Sequence, residues 1–540
     1  MVQKIQNTLR DSASARWAAL ILVASMMFFA YMFVSVISPV KYLLEANVVR
    51  GVIVEQKDSG LVVDSDLVLS TELKNDTNKL FAEAKAGDTI YFNTSIGTVQ
   101  EMSKVLGISE EEVEQSTSEY AFHVATTESR SWTSSNYGMY AGAEYILCVF
   151  GFLFFAGILL DKLGSRFSGL LSASLMVIGA LVKFLALNEW WFDANEITWL
   201  NSWWTEVPGS CKLAALGFMI FGCGCEMAGP VVSKILAKWF KGKEMALAMG
   251  LEMAIARLGV FAAMWIVPII SERYMTDGVG SVAVPVAFGA CLLLIGLINF
   301  FVFTVMDTRF DKQLVAIGEA TDMKDPEDEF HVSDLGKIFR SKMFWIVALL
   351  CVLYYSAIFP FQSFAPDFLK VTLNVENDVA AGLFSFFPIL AMILTPFLGA
   401  FLDFRGKGAS MLMIGAVIMV VCHLCFAFLL PLFPTKWLAV TLVAVLGVSF
   451  SLVPAALWPS VPKIIDEKIL GSAYCLIFWV QNIGLFLVPM LIGSTHDTTG
   501  GYKIPMIIFS TFGVFAFFLS ILLKKEDKVK GYGLELPNKK

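Results

Sequence analysis

The amino-acid sequence predicts an all-α membrane protein with twelve transmembrane helices in two six-helix repeats. The chain has 540 residues, of which 57% are hydrophobic and 16% are charged. Soluble domains carry about 25% charged residues, so this composition excludes a soluble enzyme, a disordered chain and a nucleic-acid-binding protein. Two further observations support the fold class. Twelve apolar segments have the length of a membrane span, and one loop motif occurs twice, 242 residues apart.

The twelve apolar segments are long enough to cross the hydrocarbon core of a bilayer. Numbered as spans 1 to 12, they cover residues 17–44, 136–160, 167–189, 213–239, 245–271, 283–306, 344–369, 379–402, 409–432, 437–459, 469–493 and 504–523. Span 1 has the position of a signal peptide, but it is too long and lacks a small-residue cleavage site, so we expect it to be retained.

The spans divide the chain into six predicted parts. They are 1–44 (N-terminal tail and span 1), 45–135 (an extracytoplasmic insert), 136–306 (the rest of the N-terminal six-helix bundle), 307–343 (a cytoplasmic linker), 344–525 (the C-terminal six-helix bundle) and 526–540 (a cytoplasmic tail).

Lysine and arginine residues indicate the orientation of the spans. If the N-terminus is cytoplasmic, the short loops and tails on that side hold 24 of these residues, and the short outer loops hold 5. Positively charged short loops remain on the cytoplasmic side of a membrane. We therefore expect both termini in the cytoplasm and the insert on the outer side.

The insert at 45–135 is acidic, with 16 Asp and Glu residues against 7 Lys and Arg residues. Runs with β-like composition occur at Gly51–Glu55, Leu61–Leu69 and Thr89–Asn93, and a helical stretch lies near Thr98–Gln115. This alternation predicts a small α+β insert, with disorder as the alternative. An outer segment of this size is also a candidate binding surface for a protein partner.

The repeated loop motif begins with the pattern Gly-x3-Asp and also contains an arginine. It follows span 2 at 157–166 and span 8 at 399–408. We expect the glycine to let neighbouring helices approach closely, and the charged residues to lock and release helix ends during transport. The alternative is a solvated turn whose charges only follow the orientation rule. The candidate gating residues are Asp161, Arg166, Asp403 and Arg405.

Two opposite charges lie deep in consecutive spans. Glu226 in span 4 lies 14 residues before Phe240, and Arg257 in span 5 lies 13 residues after Glu244. At 1.5 Å per residue, both are about 20 Å from the intervening turn, slightly beyond the midplane of a core about 30 Å thick. Charges at this depth are costly and mark transport sites, so we predict that Glu226 and Arg257 bind substrate. The alternative is a buried ion pair that only fixes packing.

Other charges within the spans have several interpretations. Lys183 lies near the outer end of span 3, where we expect it to extend its ammonium group to the membrane surface. Lys41 either does the same or lines an outer vestibule. Glu144 and Glu252 are proton-relay candidates, with helix-end or cavity-facing positions as equal alternatives.

The sequence shows no nucleophile–base pair and predicts neither an enzyme nor a bound cofactor. The segment Cys422-His423-Leu424-Cys425 has a metal-like spacing, but it lies inside span 9, and we interpret it as packing rather than as a metal site.

Four segments carry a resemblance to a known family. They are Gly224-Cys-Glu226 through Ala256-Arg257-Leu-Gly259, Tyr354-Tyr355 through Phe361, Gly447 through Trp458-Pro459, and Leu470 through Gln481-Asn482-Ile-Gly484. With them the chain resembles the major facilitator superfamily and, within it, the lysosomal dipeptide transporter family. The resemblance implies the major facilitator fold, a dipeptide substrate, and binding of the two charged peptide ends by Glu226 and Arg257.

The expected function is secondary transport of small zwitterionic solutes, most of all dipeptides, across a lipid bilayer by alternating access. Tyr354, Tyr355 and Trp458 are candidate substrate-binding aromatics, or they pack helices. Gln481 and Asn482 are candidates for hydrogen bonds to the peptide backbone, or they bridge helices. Two alternatives are an organic-anion or sugar carrier that uses Arg257 alone, and a non-transporting receptor or scaffold.

The expected location is the inner cell membrane rather than the lysosomal membrane. The N-terminal tail carries no acidic dileucine sorting signal, in contrast to the family that the chain resembles.

Overall fold

The structure is a computed structural model. It describes residues 8–44, 48–57, 60–63, 67–70, 85–86, 89–93, 132–188, 198–204, 207–240, 245–274, 281–316, 338–465 and 470–537. The chain forms two compact units. The first comprises Met1–Lys41, Ser134–Glu196 and Cys211–Lys540, and the second comprises Tyr42–Thr133 and Ile197–Ser210.

The first unit is built from helices, because a backbone in a bilayer has no water with which to bond and must satisfy its own polar groups. Its main helices are Ala13–Val34, Ser134–Ala143, Ile146–Val149, Phe152–Leu187, Gly209–Trp239, Met245–Arg273, Ala283–Ala316, Lys342–Leu373, Asn377–Phe384, Phe386–Arg405, Gly408–Leu424, Lys436–Ile464, Leu470–Thr499 and Lys503–Lys530. Among the described residues, eleven segments are long and apolar enough to span a membrane. The predicted all-α membrane fold is therefore confirmed.

Short elements complete the helical spans. A 3₁₀ turn at Ser38–Val40 and the helix Lys41–Leu44 extend span 1. A π-helical segment at Cys425–Leu429 and the helix Leu430–Leu432 extend span 9.

Span 2, which the sequence places at 136–160, is interrupted. The helix Ser134–Ala143 ends in a turn at residues 144–145, and Ile146–Val149 is followed by a second turn. Gly151 in this second turn has a φ of 100°. Broken helices at membrane depth are tolerated where protein or a cavity surrounds them. Two turns, at residues 144–145 and 150–151, therefore divide this span.

The two loop motifs contain the same kind of turn. Gly164 has a φ of 80° and Gly406 has a φ of 69°, and each lies three residues after the aspartate of its motif. Side chains other than glycine rarely adopt such angles, so the turn requires glycine in both halves.

The first glycine of each motif does not make the close helix contact that the sequence predicts. A Cβ atom added at Gly157 or Gly399 would meet no other atom within 4 Å. The expectation that these glycines let helices approach closely is therefore wrong in this arrangement. The side chains of Asp161 and Asp403 lie outside the described residues, so the charge lock stays a prediction.

The second unit contains an antiparallel sheet. Strands β1 (Val48–Lys57), β2 (Gly60–Val63), β3 (Leu67–Ser70) and β4 (Thr89–Asn93) lie in the order β3-β2-β1-β4. Strand β1 pairs with β4 in a register that sets Val52 opposite Thr89. The predicted strand runs fall within these strands, with Leu61–Leu69 divided between β2 and β3. The predicted helix near Thr98–Gln115 lies outside the described residues, so the α+β character of the insert stays a prediction.

The N-terminal half (spans 1–6) and the C-terminal half (spans 7–12) are in contact at the distal end, defined as the end of the bundle opposite the start of span 1. Ser38 Oγ donates to the Gln362 carbonyl at 2.9 Å, and Trp265 Nε1 donates to Ser385 Oγ at 3.0 Å. A Cβ atom added at Gly138 would lie 2.2 Å from the Pro489 carbonyl oxygen. The two halves therefore pack backbone to backbone at this end.

Candidate functional site

Glu226 lies on the span 4 helix Gly209–Trp239, shortly after two glycines that bring this helix against its neighbours. A Cβ atom added at Gly222 would lie 2.0 Å from the Glu144 carbonyl oxygen, and one at Gly224 would lie 2.4 Å from that of Ser172. The backbone around Glu226 is therefore pressed against spans 2 and 3, and its side chain is half-buried.

Arg257 lies on span 5 and reaches the opposite half of the protein. Its Nη1 atom donates to the Ala391 carbonyl at 3.0 Å and to Thr395 Oγ1 at 2.9 Å, both on span 8. Its guanidinium carbon lies 5.3 Å from the centroid of the Phe450 ring on span 10. The guanidinium group of Arg257 therefore lies between the two halves. One of its nitrogen atoms, Nη1, bonds to the C-terminal half.

Glu226 and Arg257 have separate partners. Within the described part of the chain, no salt bridge links the two side chains, although each interacts electrostatically with Tyr31 on span 1. Buried Glu252 on span 5 also interacts with Tyr31. Sequence patterns gave no signal for Tyr31, because a tyrosine in an apolar span resembles any packing aromatic. The arrangement leaves both charges able to accept a second partner.

Asn482 on span 11 is the partner of Glu226 from the C-terminal half. The Asn482 side chain is 1% exposed, and neither its Nδ2 nor its Oδ1 atom makes a hydrogen bond of regular geometry. A buried polar group without such a bond costs about 1–3 kcal/mol. Gln481 accepts a hydrogen bond from Cys351 Sγ at 3.1 Å. Asn482 therefore presents an amide group from the C-terminal half to Glu226.

The structure connects two of the three predicted aromatics with Arg257, Tyr355 directly and Trp458 through Tyr355. Trp458 Nε1 donates to Tyr355 Oη at 3.0 Å, and Tyr355 interacts electrostatically with Arg257. Tyr354 instead is fully buried and donates from its hydroxyl to the Leu412 carbonyl on span 9. Tyr354 therefore packs inside the C-terminal half and does not contact Glu226 or Arg257 in the described contacts.

Arg166 of the first loop motif belongs to a charged cluster within the N-terminal half. Its Nη1 atom lies 3.0 Å from Asp311 and 3.7 Å from Asp307, and Lys238 lies 2.8 Å from Asp307. Sequence reasoning missed both aspartates, although their spacing of four residues at the end of span 6 was a usable signal. Arg405 of the second motif is exposed.

Lys41 forms a buried ion pair between the halves. Its ammonium is 0% exposed and lies 3.1 Å from Asp367 Oδ2 on span 7. It also donates to Tyr502 Oη at 3.1 Å and to Ser134 Oγ at 3.4 Å, and the Tyr502 hydroxyl donates to Asp367. Neither expectation for Lys41 is correct, because the sequence does not show that Asp367 faces it.

The expectation for Lys183 is also wrong. Its side chain is 0% exposed, and the ammonium lies against aromatic rings instead of reaching the membrane surface. The span 3 helix turns this residue toward spans 1, 2 and 4, which hydropathy alone does not reveal.

A small cavity of about 30 Å³ lies between the halves, on the distal side of the bundle. Its lining combines Tyr137 and Glu144 of span 2 with Gln362 and Ser363 of span 7 and Pro489 of span 11. Glu226 and Arg257 are outside this lining, so the cavity and the central charges are separate features.

Comparisons with known proteins agree with this architecture. The model of the Major Facilitator Superfamily matches residues 91–489. A second family model, described as a probable trigger factor, FKBP-like domain, matches residues 37–130, which contain the β-sheet of the second unit.

Two relatives are both described as the lysosomal dipeptide transporter MFSD1. The protein from Danio rerio is 28% identical over 409 residues, covering 74% of this chain and 80% of the relative. The protein from Homo sapiens is 26% identical over 373 residues, covering 67% and 71%.

Solved structures show the same fold at low identity. A partially occluded inward-open form of the xylose transporter XylE from E. coli has a TM-score of 0.59 and 11% identity, covering 95% of this chain and 98% of XylE. The nucleoside transporter NupG has a TM-score of 0.53 and 17% identity, covering 73% and 91%. With a family model that matches most of its length, the chain belongs to the major facilitator superfamily and is an integral multi-pass membrane protein.

Proposed function

We propose that this protein is a secondary transporter of small zwitterionic solutes, and of dipeptides in particular. The observation that carries the proposal is the separation of Glu226 and Arg257, two opposite charges of one half that do not pair with each other. A zwitterion supplies one complementary charge to each of them. The dipeptide transporters among the relatives support the same substrate class.

The proposed binding mode assigns each end of a dipeptide to one charge. Glu226 receives the ammonium group, and the planar guanidinium of Arg257 holds the carboxylate through two parallel hydrogen bonds. Asn482, with its incompletely bonded amide, and Gln481 serve the peptide backbone. Tyr355 and Trp458 border the carboxylate end.

Alternating access in this proposal is a rocking of the N-terminal half against the C-terminal half around the central charges. The bonds from Arg257 to Ala391 and Thr395 cross between the halves, so a bound carboxylate competes with them and lowers the cost of their separation. Asp161 and Asp403 act as gating residues with Arg166 and Arg405. Asp161→Asn is then expected to slow transport while binding changes less than about tenfold.

The proposed location is the inner cell membrane, with both termini in the cytoplasm and the 45–135 insert on the outer side, where it offers a surface to a protein partner. An introduced cysteine at Ser95 is expected to react with an impermeant maleimide in intact cells. Reaction only after cell lysis contradicts this orientation.

The test of the substrate site is uptake of a labelled dipeptide into proteoliposomes, normalised to folded protein. Glu226→Gln is expected to weaken uptake of free dipeptides and to affect N-acetylated dipeptides less, because acetylation removes the ammonium group. Glu252→Gln is the matched control, since it removes another buried carboxylate from the same half.

A charge swap separates binding from packing. A pair that only fixes packing recovers folding and transport in the double variant Glu226→Arg with Arg257→Glu, whereas an oriented binding site does not recover. Normal transport by the swap therefore refutes the proposed site. Transport of organic anions or sugars with no dipeptide uptake favours the alternative carriers, and a complete absence of uptake with a retained partner favours a scaffold.

A further inference from the structure

Trp479 on span 11 makes a contact between the halves that the proposed substrate site does not use. Its indole Nε1 atom donates to the Val149 carbonyl of span 2 at 2.7 Å. Trp479 lies three residues before Asn482, so it is about one helical turn from the residue that interacts with Glu226. The bond therefore joins spans 2 and 11 next to the central charges.

The interruption of span 2 makes the Val149 carbonyl available as an acceptor. In a regular helix this carbonyl would bond to the N–H group of Leu153, four residues later. Here the helix Ile146–Val149 ends in the turn that contains Gly151, and a new helix begins after it. Within the described part of the chain, no backbone N–H group bonds to the Val149 carbonyl. Because buried carbonyl groups need a donor, the indole of Trp479 replaces the missing helical bond from the other half.

The same arrangement occurs a second time in the repeat. Val149 and Ala391 are 242 residues apart, which is also the spacing of the two loop motifs. The Ala391 carbonyl on span 8 accepts a bond from Arg257 on span 5. Equivalent carbonyl groups of spans 2 and 8 therefore each accept a side-chain N–H group from a helix of the opposite half.

The two bonds lie at a similar depth. Trp479 lies nine residues after Leu470, the start of its helix, and Arg257 lies twelve residues after Met245. At 1.5 Å per residue these positions are about 14 Å and 18 Å from the helix starts. Both are farther from the distal end than Trp265, which contacts span 8 there. They therefore close a part of the interface that the distal contacts do not reach.

The two donors differ in charge. The guanidinium group of Arg257 attracts a substrate carboxylate, which in the proposed binding mode competes with its bond to Ala391. The indole of Trp479 is neutral and offers a single N–H donor, so neither charged end of a zwitterion gains an ion pair by displacing its bond. In the loaded protein, the bond of Trp479 is therefore retained when that of Arg257 is lost.

We propose that Trp479 is a positioning residue for transport, whose indole N–H group keeps spans 2 and 11 together around a bound dipeptide. The proposal rests on the proposed transport function and deepens it. Once the substrate carboxylate has drawn Arg257 away from span 8, closure at this depth depends on the bond between Trp479 and Val149. Loss of this bond therefore opens the loaded protein more than the empty protein.

The alkylation rate of a native thiol tests this closure. Cys148 precedes Val149 and is 0% exposed, so its reaction with N-ethylmaleimide, followed by peptide mass spectrometry, reports the separation of spans 2 and 11. With saturating alanyl-alanine, Trp479→Phe is expected to react about fivefold faster than the wild type, the factor that corresponds to one ordinary hydrogen bond. Without dipeptide the increase is expected to be about twofold, because Arg257 still bonds to span 8.

Two variants and a second thiol serve as controls. Trp345→Phe removes a similar indole bond, from Nε1 to the Phe339 carbonyl at 2.9 Å, which joins the linker to span 7, and Cys148 is expected to react as slowly as in the wild type. Trp479→His keeps a ring N–H donor and is expected to restore the rate to within about twofold of the wild type. Cys422, which is 1% exposed inside the C-terminal half, reports unfolding.

Three results of the alkylation experiment overturn the proposal. The first is an equal rate at Cys148 in the wild type and in Trp479→Phe with dipeptide present. The second is an equal acceleration with and without dipeptide, which is the behaviour of a purely structural contact. The third is a rate in Trp479→His as high as that in Trp479→Phe.

Uptake into proteoliposomes separates positioning from binding. In Trp479→Phe the maximal rate of labelled alanyl-alanine exchange is expected to fall about fivefold, because the closed state lies on the path between the two open states. The equilibrium affinity is expected to change less than about twofold. Equal losses of rate and affinity make Trp479 a binding residue and overturn the proposed role.

The two experiments distinguish the possible failures. If folded wild-type protein neither binds nor exchanges the dipeptide, the proposed substrate is refuted. The alkylation rates without dipeptide then decide whether the bond of Trp479 closes spans 2 and 11, and equal rates in the wild type and in Trp479→Phe overturn this proposal as well.

Discussion

Two buried lysines of the N-terminal half, Lys41 and Lys183, show different solutions to the same problem. Both ammonium groups are 0% exposed. Lys41 has a carboxylate and two hydroxyl groups within 3.4 Å, and its partners Asp367 and Tyr502 come from the C-terminal half. Lys183 has three aromatic rings from its own half and no hydrogen bond within the described residues. The first lysine joins the halves, whereas the second keeps its charge within one of them.

The two lysines differ in how strongly each depends on a single partner. A buried cation in direct contact with a carboxylate is fixed in one arrangement, because removal of either partner leaves an uncompensated charge. A buried cation that touches only aromatic faces depends less on any single partner. We therefore interpret Lys41 as a structural contact of the distal end and Lys183 as a cation whose described contacts do not hold the two halves together.

The largest expected effect is that of Asp367→Asn. This substitution leaves Lys41 buried without its carboxylate, which is expected to cost about 3–5 kcal/mol of stability. Denaturant unfolding of the purified protein measures the change. The double variant Lys41→Met with Asp367→Leu is expected to recover most of the loss. A cost below about 1 kcal/mol for Asp367→Asn is incompatible with a structural ion pair.

An intermediate effect is expected for Tyr502→Phe. The lost hydroxyl group bonds to both Asp367 and Lys41, and hydrogen bonds to charged groups contribute about 1.5–3 kcal/mol. The same unfolding measurement applies. In the Asp367→Asn background the effect of Tyr502→Phe is expected to shrink, because the charged acceptor is absent. Equal effects in both backgrounds would falsify the proposed network.

The smallest effect on stability is expected for Lys183→Met. The substitution removes a cation to which the described residues offer no hydrogen bond and replaces it with an apolar side chain of similar length. The loss of ring contacts and the relief of charge burial therefore oppose each other. We expect a change within about 1 kcal/mol. A loss comparable with that of Asp367→Asn would show that Lys183 is as structural as Lys41.

Most of the helical fold was predictable because a bilayer excludes backbone conformations that leave polar groups without hydrogen bonds. Apolar segments of sufficient length must satisfy their own backbone groups, so hydropathy alone located spans 1 and 3 to 12. The interruption of span 2 was not predictable by this route. Residues 144–145 lie in an apolar window, and averaging over such a window hides a local turn at Glu144.

The sequence predicts how deep the candidate site lies in the membrane, but it does not predict which residues contact each other there. Counting helical residues was sufficient to propose that Glu226 and Arg257 lie at one level. The partners of Arg257 on span 8, Ala391 and Thr395, lie 134 and 138 residues away along the chain. Such contacts depend on helix rotation and on the packing of the two halves, which leave no local trace in the sequence. For the same reason the expectations for Lys41 and Lys183 were wrong.

The two glycine turns of the loop motif are under unequal mutational constraint. Backbone strain of about 1–3 kcal/mol opposes any other residue at either Gly164 or Gly406. At Gly164 an added Cβ atom would meet no atom within 4 Å, but at Gly406 it would lie 2.5 Å from the Glu535 carbonyl oxygen in the C-terminal segment. The second copy of the motif is therefore tied to the tail of the chain. In a saturation library we expect Gly406 to tolerate fewer substitutions than Gly164, and removal of residues 531–540 to reduce that inequality.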